Sequence, residues 1–165
     1  MKKALIIIDL ERGFVTKYTR QIPSRIKSFI DKKGANYDLI LFTQYKNHST
    51  SNFVKNLGYK GFMSKEEYGI VEELEGFVNK NNLFTKDTYS SFVNNKLPHT
   101  LKRKKIVEVH LAGIDTENCV LTFARDAFDR GYRVVVLKGL CGSHSDPVLH
   151  KAALKIIRNN IGEVR

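Results

Sequence analysis

Four short apolar runs, separated by stretches with helical spacing, constrain this chain more than any other feature. They are KALIIID (3–9), YDLILFTQ (37–44), KIVEVHLAG (105–113) and YRVVVLK (132–138). Each reads as a strand, and the first is a continuous Ile-rich run, which suits burial on both faces. A fifth segment, NLFTK (82–86), reads as a short strand. Between them, 23–33 carries Ile26, Phe29 and Ile30 at helical spacing, with Pro23 near its start and Gly34 just past its end. Residues 68–79, 117–130 and 147–160 also read as helices, the second capped by Gly131. Residues 90–101 read as short helical pieces broken by Pro98, and 47–63 as mostly loop. Strands that alternate with helices predict an α/β fold with a mainly parallel sheet.

The length, 165 residues, suits one domain spanning 1–165 and is enough to bury a core without covalent staples. The two cysteines, Cys119 and Cys141, form neither a disulfide framework nor a zinc motif and read as free thiols. The opening MKKALIIIDLERGF superficially resembles a secretory leader, but its apolar run, 4–8, is short and is followed at once by Asp9 and Glu11. No run approaches a membrane span, so a cytoplasmic protein is expected. The net charge of +11 raises nucleic acid as a partner. Yet the clearest basic run, KRKK (102–105), precedes a strand and is not interleaved with aromatic residues. Specific nucleic-acid binding is therefore not expected.

In parallel α/β sheets ligands gather at the carboxyl ends of the strands. Asp9 ends the first strand, Lys86 the short third one, and Cys119 follows the fourth. Alone, each has an ordinary explanation: a turn former, a solvated cation, a packed thiol. Together they place an acid, a cation and a thiol on one edge. A thiol near an ammonium or a helix start is activated as a nucleophile. Here Lys86 favours the thiolate, and Asp9 removes the thiol proton and returns it to a leaving amine. Thr116 is placed to cap the helix, whose first N–H groups suit an oxyanion. No nucleotide-binding glycine motif follows any strand, and no cofactor is expected. A binding protein using its basic surface against an acidic partner remains the alternative.

Three segments carry a resemblance: IIIDLERGF, FTKDTYSSF and AGIDTENCV, the last continued by FARDAFDRGYRVVVLKGLCGS. In order and spacing the chain resembles the isochorismatase-like cysteine hydrolases, which include nicotinamidases and N-carbamoyl amidohydrolases. The resemblance covers essentially the whole chain. It implies a three-layer α-β-α, Rossmann-like architecture with a sheet of five or six strands, and a homodimer or homotetramer. It also implies a cysteine hydrolase that cleaves a small-molecule amide or related C–N bond through a thioester. By resemblance the catalytic triad is Asp9, Lys86 and Cys119. A cis peptide bond falls between Ile114 and Asp115, and the backbone N–H groups of Asp115 and Cys119 form the oxyanion hole. Glu11, Phe14 and Tyr89 are the pocket candidates, with further walls from loops such as 47–65.

The departures from the pattern are informative. Glu11 stands where the family has Gln, adding a carboxylate near Asp9 that is expected to raise the pKa of one of the pair. The metal motif of nicotinamidases falls on Gln44 and Lys46, so no metal is expected, and His48 reads as a solvated loop residue. Asp115 adds an acid beside the pocket, which favours a cationic or hydrogen-bond-donating substrate. Cys141 reads as a packed thiol, His110 as a structural residue, His144 as a loop residue and His150 as a helix residue.

Overall fold

The computed structural model describes residues 1–93 and 95–165. Residue 94, inside the stretch expected to form short helical pieces, lies outside the described residues. Among the described residues the first half runs β1 (Lys3–Ile8), α1 (Ile22–Lys33), β2 (Leu39–Tyr45), α2 (Asn52–Leu57), α3 (Lys65–Tyr68), α4 (Glu72–Glu75) and β3 (Leu83–Lys86). The second half runs α5 (Lys96–Arg103), β4 (Glu108–Ile114), α6 (Leu121–Asp129), β5 (Arg133–Gly142), α7 (Pro147–Asn160) and β6 (Glu163–Val164). A 3-10 turn, Arg12–Phe14, follows β1, and a π-helical turn, Thr116–Val120, leads into α6.

Six strands form one sheet in the order β3-β2-β1-β4-β5-β6, and every neighbouring pair is parallel. The sheet separates two apolar layers, which explains why β1 is a continuous apolar run. Ala4, Ile6 and Ile8 pack with Leu97, Leu101, Phe123 and Ile157 on one face. Leu5 and Ile7 pack with Ile22, Ile26, Phe42 and Leu74 on the other. The expected α/β architecture is therefore present, with its helical layers on the two faces. No described helix is long and apolar enough to cross a membrane.

Gly113 shows how tightly β4 approaches β1 at their carboxyl ends. Its φ is +127°, and a Cβ there would sit 2.0 Å from the carbonyl oxygen of Ile8, so only glycine fits. This contact sets the loop after β4, which carries Cys119, directly beside Asp9.

Several local expectations are corrected. The stretch 47–63 is not all loop: it contains α2. Ser51 caps that helix by accepting from the Val54 N–H, and Gly58 ends it at φ +66°. A serine cap and a left-handed glycine are a helix signature that was legible there. The helix expected over 68–79 is instead two short turns, because Gly69 and Ile70 form an extended link whose Ile70 bridges Glu11. Pro98 does not break a helix; it sits in the first turn of α5, where its missing N–H removes no helical bond. The strand begun in 105–113 starts only at Glu108, because Lys105 turns at φ +57°. Strand β5 continues past residue 138 to Gly142, across a register shift opposite Leu111 and Gly113.

Candidate active site

The three chemistry-bearing residues meet at the carboxyl ends of β1, β3 and β4. The Lys86 ammonium has three donors, and each has a partner. Nζ donates to Asp9 Oδ2 at 2.6 Å, to the Thr88 carbonyl at 3.0 Å and to Cys119 Sγ at 3.4 Å. Asp9 is turned into the site by a positive φ of 50°, which Asp tolerates better than most residues. Its second oxygen, Oδ1, accepts from the Thr43 hydroxyl at 2.6 Å, while that hydroxyl oxygen accepts from the Asp9 N–H at 3.3 Å. Thr43 thus fixes the carboxylate with one edge toward Lys86. The Tyr45 ring lies 5.7 Å from the ammonium. Asp9 and Lys86 are almost completely buried, and Cys119 retains 8% of its surface.

Burial decides the resting protonation. It pushes the Cys119 thiol well above its ordinary pKa, the Asp9 carboxylate pushes the same way, and Lys86 only partly offsets both. Burial therefore works against the thiolate that a nearby Lys86 is expected to favour. That direction favours a neutral thiol beside the Lys86–Asp9 ion pair. Burial also opposes the Lys86 charge, but the Asp9 carboxylate, by its charge and by its hydrogen bond, outweighs burial and holds that ammonium above its usual pKa. Desolvating a charge favours its neutral form unless a partner compensates; the Asp9 carboxylate, 2.6 Å away, compensates Lys86, while the longer Lys86 bond to Cys119, 3.4 Å, does not offset burial and Asp9 together.

Glu11 lies beneath the site rather than in its cavity. Its Oε1 accepts from the Tyr45 N–H at 2.8 Å, while Oε2 is buried without a partner. Burial and then Asp9 raise its pKa well above the carboxylate range. A group whose folded pKa is raised contributes stability below its unfolded pKa and loses it as pH rises toward the folded one. The Glu11→Gln variant should therefore match the parent in urea near pH 4.3 and become the more stable protein above it. The gap should widen by at most about 1.4 kcal/mol per pH unit. A variant equally weakened at pH 4.5 and pH 8 would contradict a neutral Glu11.

A cavity of about 300 Å³ opens onto Cys119. Of the three pocket candidates, Phe14 and Tyr89 line it and Glu11 does not. Its other walls are Tyr45, Phe53, Leu57 and Tyr59, with Asp115, Asn118 and His144 as its polar part. The aromatic walls brace one another: Phe14 and Phe62 lie 4.2 Å apart, and Phe53 and Tyr89 4.8 Å apart. A larger open groove, about 940 Å³, lies between α5 and the start of β5 and holds none of the triad.

The peptide bond between Ile114 and Asp115 is cis. Asp115 N-caps the π-helical turn, and its carbonyl accepts from the N–H groups of Asn118 and Val120. Thr116 is not the cap. Its hydroxyl donates instead to the Gly142 carbonyl at 3.1 Å and lies 2.8 Å from His150 Nδ1, tying the Cys119 loop to β5 and α7. The Asp115 side chain is not free to select a cation. Oδ1 accepts from the His144 N–H at 2.8 Å, and Oδ2 from His144 Nδ1 at 2.7 Å.

At the two positions that correspond to the nicotinamidase metal motif, where no metal is expected, Gln44 donates to the Tyr68 carbonyl, and the Lys46 ammonium stands 4.6 Å from the Tyr68 ring. His48 pairs with Asp87 at 2.8 Å on the surface. Among the described residues no three His, Cys, Asp or Glu side chains converge as a metal-ligand group. Cys141 is buried, with its thiol raised to about 12 by burial. The neighbours of the site that the sequence reading does not mark are Thr43 and His144; the walls Phe53, Leu57 and Tyr59 fall within the stretch 47–65 expected to supply them, though in and after a helix rather than a loop. His144 follows the true end of β5, so a correct strand end would have marked it by the carboxyl-edge rule that selected Cys119.

The profile of the isochorismatase domain matches residues 3–165. The isochorismatase family protein PncA of Bacillus subtilis is 32% identical over 98% of this chain and 97% of its own length. Nicotinamidase 3 of Arabidopsis thaliana is 28% identical over 92% of this chain and 78% of its own. The crystal structure of a nicotinamidase from Bacillus subtilis superposes with a TM-score of 0.88, at 29% identity, over 99% of both chains.

Proposed function

The chain belongs to the isochorismatase family, and on that premise we propose that it is a cysteine-dependent hydrolase of small-molecule amides. The observation that carries this reading is one ammonium, Lys86 Nζ, bonded to both the Asp9 carboxylate and the Cys119 sulfur beside a small cavity. Relatives named nicotinamidase and maleamate amidohydrolase support the amide.

The chemistry follows from the resting state. Cys119 Sγ attacks the amide carbonyl as its proton passes to Asp9, which forms the C–S bond without a free thiolate ever resting in a buried site. The carbonyl oxygen becomes an oxyanion held by the backbone N–H groups of Asp115 and Cys119. Lys86 keeps its charge throughout, so the developing negative charge faces a fixed cation. The tetrahedral species collapses by breaking the C–N bond, and Asp9 returns the proton to the departing amine. Water then attacks the thioester and gives its proton to Asp9. The C–S bond breaks, the carboxylic acid forms, and Asp9 reprotonates the sulfur.

A panel of nicotinamide, maleamate, N-carbamoylsarcosine and simple aryl amides, followed by ammonia release, tests the function. The expected result is release from at least one amide that depends on Cys119. A folded protein that releases ammonia from none, or whose Cys119→Ala variant releases it equally, would overturn the assignment.

A further inference from the structure

His144 is the polar group the known features leave unexplained. It follows β5 and is one of the residues lining the cavity that opens onto Cys119. Asp115 grips it twice, through the His144 backbone N–H and through Nδ1. Phe14 packs edge-on against the ring, with centroids 5.3 Å apart. The Thr16 hydroxyl donates to the His144 carbonyl at 2.8 Å. Backbone and ring are thus held from two loops, so the side chain is preorganised rather than mobile. Its Nε2 has no partner among the described residues.

We propose that His144, positioned by Asp115, determines specificity by donating Nε2–H to a neutral acceptor atom on the substrate, distal to the amide that Cys119 attacks. The inference rests on the amidohydrolase reading for the identity of the scissile group. The walls around it are aromatic, and a cavity of about 300 Å³ admits only a small ligand. Phe14, Phe53 and Tyr89 favour a flat, unsaturated skeleton. The hydrogen bond to Asp115, which outweighs burial, raises the His144 pKa, and Glu117 adds to it, favouring the imidazolium that carries a proton on both nitrogens. That positive charge is already matched by Asp115 at 2.7 Å. What the ring offers a ligand is therefore a directed N–H rather than net charge, so the acceptor is a ring nitrogen or carbonyl oxygen rather than a carboxylate. Burying that N–H against a ligand lacking an acceptor leaves it unpaired, which is the basis for discrimination.

Binding without turnover separates this inference from the amidohydrolase assignment. In the Cys119→Ala protein, the dissociation constants of the three pyridine carboxamides, an aminobenzamide and benzamide are measured by calorimetry. The expected result is that at least one pyridine carboxamide binds about tenfold or more tightly than benzamide. That preference falls to within about twofold when His144→Ala is added. His144→Gln, which places an amide N–H near the Nε2 position, keeps more of the preference than His144→Asn. Equal binding of acceptor and benzamide ligands, tighter binding of the aminobenzamide, or a preference that survives His144→Ala would overturn the inference. If the preference holds but the parent protein releases no ammonia, the hydrolase assignment fails and the binding role of His144 stands.

Discussion

Replacing Cys119 by alanine is expected to reduce turnover of any cleaved amide by roughly 10⁴- to 10⁶-fold. A loss at the lower end is about 5.5 kcal/mol of transition-state stabilisation. The size follows from the residue's place in the sequence of bonds. Without Sγ there is no C–S bond, and the remaining groups would have to direct water at an unactivated amide. The backbone donors of Asp115 and Cys119 survive the substitution, so a residual rate above the uncatalysed one is expected. The fold should survive as well. The change removes one sulfur from the edge of an apolar cluster, and one acceptor from Lys86, whose bonds to Asp9 and Thr88 remain. Loss of one such atom from a core costs about 1 kcal/mol. Steady-state ammonia release and urea denaturation of the same preparation separate the two effects. A variant that loses activity only because it unfolds would show a collapsed denaturation midpoint.

The opposite balance is expected at Asp9. The Asp9→Ala variant should be both inactive and markedly less stable, because it strands a buried ammonium. Lys86 is buried almost completely and its Asp9 bond, at 2.6 Å, is the one that neutralises it. Removing one partner of a buried pair costs about 3–5 kcal/mol, a large part of the 5–15 kcal/mol typical of a domain. For a chain of this size that lowers the melting temperature by about 6–20 °C. The sign with pH is fixed. In the variant the folded Lys86 pKa lies below the unfolded value, so stability lost at pH 6 returns as pH rises toward about 10.4. In the parent the folded pKa is raised, so the stability from Lys86 is complete below about 10.4 and is lost above it. The double variant Asp9→Ala/Lys86→Met should recover much of the loss without recovering activity. An Asp9→Ala protein as stable as the parent at pH 6 would show that the pair is not desolvated.

These expectations show where sequence reasoning reached and where it stopped. The convergence of Asp9, Lys86 and Cys119 was legible because each follows an apolar run, and parallel strands deliver their ends to one edge. Residue order along the chain was enough for that. The protonation of Cys119 was not legible, because a nearby Lys predicts a thiolate while the burial that defeats it comes from tertiary packing. The side chain of Asp115 looked available because its partner lies 29 residues away, on the far side of β5. His144 escapes the carboxyl-edge rule in a reading that ends β5 at residue 138, whereas the strand runs on to Gly142 beside β4. The wall residues Phe53 and Tyr59 lie in and after a helix that only its Ser51 cap and Gly58 stop announce. A polar, glycine-containing stretch conceals such a helix, since its apolar face points to a cavity rather than to the main core.

The central claim is that amide cleavage passes through an acyl group on the Cys119 sulfur. Acid-quenched samples of the parent protein, taken during turnover of a cleaved amide, should gain the mass of the substrate minus ammonia. Peptide mapping should place that mass on Cys119, and the adduct should decay to free thiol and carboxylic acid once the amide is exhausted. Turnover with no adduct at any quench time, together with undiminished turnover by Cys119→Ala, would contradict the account.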